Sequence, residues 1–197
     1  REKCYTGMES LLSEGRTLLG VGVGWMKEEF DVLGMPYDHR GARGDEQLEV
    51  FDRLFSNANP AFAGRFYQFP EIGVSPKPVQ SPVPIWVGGN SDAAFRRTAR
   101  YGHCFHAAFQ KRDTVVEEWA AVRAACEAIG RDPGEVELSI RLYLDPEARM
   151  EPAKSIQGSA DQMAATVGEW AAIGVDHILV DVVAGGGPQG RLDALRS

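Results

Sequence analysis

Cysteine is scarce in this chain of 197 residues, and the three present (Cys4, Cys104 and Cys126) are odd in number and far apart. None stands in a CxxC pair, which excludes a disulfide framework and a zinc knuckle and leaves free thiols of a reducing compartment. The four histidines fall in no HExxH or similar ligand spacing, so no metal site is expected. Positive charge is in deficit: 21 Lys and Arg against 28 Asp and Glu give a net charge of −7. Without a basic stripe to replace phosphate counterions, a nucleic-acid partner is not expected. No apolar run approaches the length of a membrane span and no basic-then-apolar leader opens the chain, so a cytoplasmic protein with no membrane partner is expected. GxSxG is missing, and no nucleophile stands at recognisable spacing from a base.

What the chain has is alternation. At 44% hydrophobic content it suits one soluble domain with a real core. Strand-like runs fall near 17–24, 84–88, 103–107, 136–142 and 176–182, with helical patterns near 41–56, 92–101, 112–129 and 159–173. In the first helix Leu48, Phe51, Leu54 and Phe55 recur at helical spacing, and in the third Val116, Trp119, Val122, Cys126 and Ile129 do the same. Ser91-Asp92 and Gly158-Ser159 suit helix starts, while Gly130 and Gly174 suit helix ends. Such alternation predicts parallel strands joined by helical crossovers. Residues 57–83, rich in proline and aromatics, break the rhythm as a long ordered excursion within a single domain spanning 1–197.

Two junctions carry chemistry. In Thr17-Leu18-Leu19-Gly20-Val21-Gly22-Val23-Gly24-Trp25 an apolar run ends in alternating glycines and an aromatic, and a helical pattern follows at Met26–Phe30. Pro84-Ile85-Trp86-Val87-Gly88-Gly89-Asn90-Ser91 repeats the arrangement. Glycine at a strand's end admits a flat ligand or a phosphate close to the backbone; it equally suits a buried strand packed closely by a helix. An open doubly wound sheet and a piece of an eight-stranded barrel both fit five strands. The first junction spaces its glycines by twos and forms no GxGxxG, and no acidic residue follows the second on the next strand, so the dinucleotide fold is disfavoured.

Several further segments, in order, carry a resemblance. They are Arg40-Gly41 with Asp45-Glu46, Gly64–Tyr67, Pro76–Gln80, Arg96–Gly102, Gly130–Pro133 and Gly174–His177. Together with the two junctions they resemble the luciferase-like monooxygenase superfamily, closest to its branch of oxidoreductases that use the deazaflavin F420. The resemblance implies an α/β fold of the TIM-type (β/α)8 barrel, with this chain covering roughly strands four to eight. A full barrel takes about 250 residues. The chain opens Arg1-Glu2-Lys3 without a methionine, and a truncated or fragmentary member is expected. Unpaired barrel edges imply self-association as a homo-oligomer.

The resemblance implies hydride transfer between F420 and a small organic substrate. An FMN-dependent monooxygenase on the same fold is the nearest alternative, and a non-catalytic remnant or self-associating scaffold is another. It gives Gly24 and Trp25 to the cofactor's ring system or ribityl chain; the other reading of Trp25 is a core or lid aromatic. Gly88, Gly89, Asn90 and Ser91 stand where a helix begins, so their N–H groups suit the cofactor's phosphate, with Arg96 one turn on. A tight turn that merely needs glycine is the plainer reading. Where relatives read Gly-Asp-Gly-Trp, this chain has Gly102-His103-Cys104-Phe105-His106. His106 is a catalytic candidate against a hydrogen-bonded structural role, and Lys111 a candidate for an anionic substrate against a plain exposed lysine. The pairs Glu28-Glu29 and Glu117-Glu118 read as solvated helix faces.

Overall fold

In the computed structural model residues 6–183 are described; Cys4 lies outside them. The chain divides into two compact units, residues 1–87 and 88–197.

The first unit runs through α1 (Thr6–Leu12), β1 (Leu19–Val21), α2 (Lys27–Val32) and α3 (Arg40–Ser56). It continues through a hairpin of β2 (Phe62–Ala63) and β3 (Gln68–Phe69) into β4 (Ile85–Gly88). The first and last strands pair in parallel, Leu19 opposite Ile85, Gly20 opposite Trp86 and Val21 opposite Val87. Partners in a parallel ladder share a face, so Gly20 lies beside Trp86. The run expected over 17–24 is a strand only over 19–21. Glycine weakens a strand interior, and the chain leaves the ladder at Gly22 and turns at Gly24, whose φ is 76°.

The proline-rich stretch is ordered by polar groups. Glu46 of α3 accepts the backbone N–H groups of Arg65, Phe66 and Tyr67 at 3.0, 2.8 and 2.6 Å. Burial pushes this carboxyl up, but the three bonds outweigh it and hold it below the usual range. Phe62 and Phe69 stack across the hairpin at 6.0 Å. Lys77 ties the excursion to the end of α3, donating to the carbonyls of Leu54 and Asn57 at 2.6 Å each.

The second unit holds α4 (Asp92–Tyr101), β5 (Cys104–Ala108), α5 (Arg112–Ala128), β6 (Glu137–Leu144), β7 (Ser155–Ile156), α6 (Ala160–Ala172) and β8 (His177–Val182). Ser91 caps α4 by accepting from the Ala94 N–H, and Ser159 and Gln162 form a reciprocal capping box at α6. Central to this unit is β6. Along it β5 pairs in parallel from Cys104↔Glu137 to Ala108↔Arg141, β7 pairs at Tyr143 and Leu144, and β8 pairs from Ser139↔His177 to Leu144↔Val182. The register of β8 overlaps both others, so β5 and β7 share one edge of β6 and β8 takes the other.

Alternation sorts the side chains. Phe105 and Ala107 of β5 with Leu138, Ile140 and Leu142 of β6 pack against Phe95, Ala99, Val115, Val122, Cys126 and Trp170 of the helices. On α5 the buried stripe runs through Val115, Glu118, Val122 and Cys126, one residue before the expected start. Val116 and Ile129 are 44% and 58% exposed: adjacent valines both satisfy helical spacing, and the sheet selects the first. Glu118 therefore overturns its solvated reading, whereas Glu117 is exposed. Burial pushes the Glu118 carboxyl up against a lowering bond from Gln110. No helix among the described residues is long and apolar enough to cross a membrane.

Candidate functional site

At the junction of β4 with α4 the chain turns through Gly89, φ 129°. A Cβ there would stand 2.9 Å from that of Ala94, so the fold itself requires glycine. The turn also leaves a helix of ten residues with its first N–H groups directed off its end. Ser91 uses its hydroxyl on Ala94 and its carbonyl on Phe95. Arg96, one turn along, is exposed, and its neighbour Arg97 is buried. Asp92 adds an exposed carboxylate to the first turn.

On the other side of β5, β6 and β8 from their helices lies a polar face. It carries Cys104 and His106; Glu137, Ser139, Arg141 and Tyr143; and His177, Leu179 and Asp181. His106 turns away from the helix layer and shares a hydrogen bond with Ser139 Oγ at 2.9 Å. Burial first, and then the Arg141 charge, lower its pKa, so the ring is neutral near pH 7. Cys104 is fully buried, and burial with the nearby Glu137 and Asp176 raises its thiol far above reactive range. Arg141 donates to Asp181 Oδ1 from Nε at 3.2 Å and from Nη2 at 2.8 Å. Beyond the end of β5, the Phe109 ring stacks on Tyr143 at 4.3 Å. Lys111 pairs with Glu151 at 3.3 Å, a carboxylate that Lys154 also holds.

Sequence reasoning singled out His106 here but passed over Ser139, Arg141, Tyr143 and Asp181. The signal was present: Glu137-Leu-Ser-Ile-Arg-Leu-Tyr-Leu144 alternates polar and apolar residues, whereas a parallel strand covered on both faces reads as nearly continuous apolar sequence.

In the first unit Trp25 is 77% exposed, which removes the core-aromatic reading. Its carbonyl accepts from Tyr37 OH at 3.1 Å, and the Gly24 carbonyl accepts from Arg40 Nε at 3.0 Å. A Cβ on Gly24 would strike the Phe30 ring at 2.8 Å. Gly20 and Gly22 differ: a Cβ on either meets nothing within 4 Å, so close helix packing does not account for them.

Residues 10–156 match the profile of the luciferase-like monooxygenase family. The chain belongs to that family. An uncharacterized protein of Mycobacterium tuberculosis is 39% identical over 100 residues, 51% of this chain and 34% of that protein. The FMNH(2)-dependent dimethylsulfone monooxygenase of Pseudomonas putida is 31% identical over 120 residues, 59% of this chain and 33% of the enzyme. The solved structure of an F420-dependent secondary alcohol dehydrogenase, in complex with an F420-acetone adduct, superposes with a TM-score of 0.80 at 15% identity. That match covers 95% of this chain and 70% of the dehydrogenase and shows the fold alone. The chain spans about a third of the length of the curated relatives it matches. Its fold class is α/β, mostly parallel, a partial barrel of the luciferase-like type.

Proposed function

We propose that this chain is part of a flavin- or deazaflavin-dependent oxidoreductase acting on a small organic molecule, with F420 preferred and FMN the alternative. The observation that carries the proposal is the glycine turn at Gly88-Gly89, which opens directly into the capped N-terminus of α4. The backbone N–H groups of the turn and the helix dipole there suit a phosphate, which F420 and FMN both carry. The donor set therefore fits the group: Gly88, Gly89, Asn90 and Ser91 would hold the phosphate through the backbone, with Arg96 adding charge. Asp92 opposes them and limits the affinity.

The preference for F420 rests on the resemblance of residues 20–25, and so does the assignment of Gly24 and Trp25 to the cofactor's ring or ribityl chain. The open space beside Gly20 and Gly22 supports a flat ligand against β1. The FMN reading draws on the dimethylsulfone monooxygenase relative. When bound, the coenzyme supplies the redox chemistry, hydride exchange for F420 or oxygen activation for reduced FMN. His106 is placed to hold a neutral imidazole on the polar face. Lys111 reaches an anionic substrate only by giving up Glu151. Exposed Trp25, Val32 and Leu33 support self-association, which light scattering of the purified chain measures.

Equilibrium titration of the chain with each coenzyme tests the proposal. Tighter binding of F420 supports it, and tighter FMN binding with oxygen consumption moves it to the monooxygenase reading. Binding of neither coenzyme by a folded chain leaves the scaffold reading.

A further inference from the structure

The pair Arg141–Asp181 is more than an ion pair between neighbouring strands. We infer that Arg141 is the recognition group for an oxyanion on the substrate (a carboxylate, sulfonate or phosphate), received by the guanidinium edge that Asp181 leaves unused. The inference rests on reading this polar face as the substrate side of the proposed oxidoreductase, and it adds the substrate's chemical class.

A guanidinium offers five N–H donors in a rigid planar fork. Asp181 Oδ1 takes one from Nε and one from Nη2. These two donors share one side of the fork. The far edge, Nη1 with the second hydrogen of Nη2, makes no hydrogen bond among the described residues, and the side chain is 44% exposed. Asp181 thus orients the fork without filling it, and the open edge has the geometry that receives two oxygens of one anion side by side.

Phe109 supplies the second observation. Its φ is 54°, a left-handed backbone that a bulky residue rarely adopts. The turn is fixed by its N–H, which donates to the Arg141 carbonyl at 2.8 Å. It brings the ring over β6, against Tyr143 and 5.3 Å from the Arg141 guanidinium. A plain surface ion pair contributes little and needs no such backbone; residues held in sparsely populated conformations cluster where a side chain must be positioned for function.

Charge on this face agrees. Among the described residues of the polar face of β5, β6 and β8, Arg141 is the one permanent cation. His106 is neutral near pH 7, Cys104 stays protonated, and Glu137 lies toward the opposite end of the strands, hydrogen-bonded to His177 at 3.0 Å.

The test uses the whole chain and no coenzyme, so it reads oxyanion binding at Arg141 separately from coenzyme binding, and its failure leaves the cofactor reading standing. Histidine-labelled protein is titrated with acetate, methanesulfonate and inorganic phosphate, with chloride at matched ionic strength as control. The titration midpoint of His106 is read by NMR. A bound oxyanion offsets the Arg141 field, so the midpoint rises saturably with at least one probe and not with chloride; the strongest probe names the anion class. In Arg141→Gln the midpoint starts higher and no longer responds. In Arg141→Lys the charge stays but the fork is lost, and affinity falls about tenfold with the starting midpoint kept low. Asp181→Asn weakens the response by loosening the fork. A His106 midpoint that ignores all three probes, or responds equally in Arg141→Gln, overturns the inference.

Discussion

Residues 6–87 and residues 88–183 are built on different principles. The second segment has one apolar core in which strand alternation and amphipathic helices agree, from Phe105 and Leu138 to Val122 and Trp170. The first buries little large apolar surface, chiefly Leu48, Val83 and Val87, and organises itself through polar groups aimed at backbone. Glu46 gathers three amides, Lys77 two carbonyls, and Ser10 bonds Gln80, which in turn donates to the Thr17 carbonyl. A packed core resists change through volume, whereas a polar lattice depends on the ionisation and reach of a few side chains. Binding loops belong to the second kind of structure, because they must leave surface open for a ligand.

The comparison breaks most visibly at Trp170, only 2% exposed beneath the Arg112 guanidinium. Trp170→Ala is expected to cost about 3–5 kcal/mol of unfolding free energy, read by urea denaturation, while amide protection in the 62–69 hairpin of the native state stays as it was. Glu46→Gln should do the reverse. Exchange of the Arg65, Phe66 and Tyr67 amides accelerates while the core amides keep their protection. Because the folded Glu46 carboxyl titrates below its ordinary value, its contribution is present above that value and is lost as pH falls through the lowered one. Hairpin protection in the parent chain therefore drops on acidification, and in Glu46→Gln it does not.

Ser159→Ala removes one half of the α6 capping box and should cost about 1 kcal/mol, with the loss confined to early α6 amides in hydrogen exchange. The smallest effect belongs to Glu118. Its carboxyl titrates above the ordinary glutamate value, so its contribution is whole below that value and fades as pH rises through the raised one. Glu118→Gln should flatten that decline toward alkaline pH in thermal melts. A steeper decline would mean the buried carboxylate is stabilised as a charge.

Much of the second segment was legible because its signals are redundant. Ser91 and Ser159 cap where capping chemistry says they should, and β6 alternates where its two faces differ. Less of the first was legible. The glycine run looks like a strand throughout, yet only Leu19–Val21 enters the ladder, since pairing is decided by the partner β4. Within α5, spacing alone could not choose between Val115 and Val116. Glu118 was misread for the same reason, because its face follows from that choice. Of the candidate site, the β4–α4 turn is written in Gly88-Gly89 and Ser91, whereas Arg141 and Asp181 meet only through a register forty residues apart in sequence.

The most direct test of the central claim is the phosphate seat. Gly89 is a poor place to probe it, because any side chain there collides with Ala94. Ser91→Asp is better, since aspartate caps a helix as well as serine and keeps α4 intact while adding a negative charge where the phosphate should lie. Coenzyme affinity of this folded variant, measured by equilibrium titration with F420 and FMN, is expected to fall by about an order of magnitude or more. Affinity equal to that of the parent chain would contradict the account.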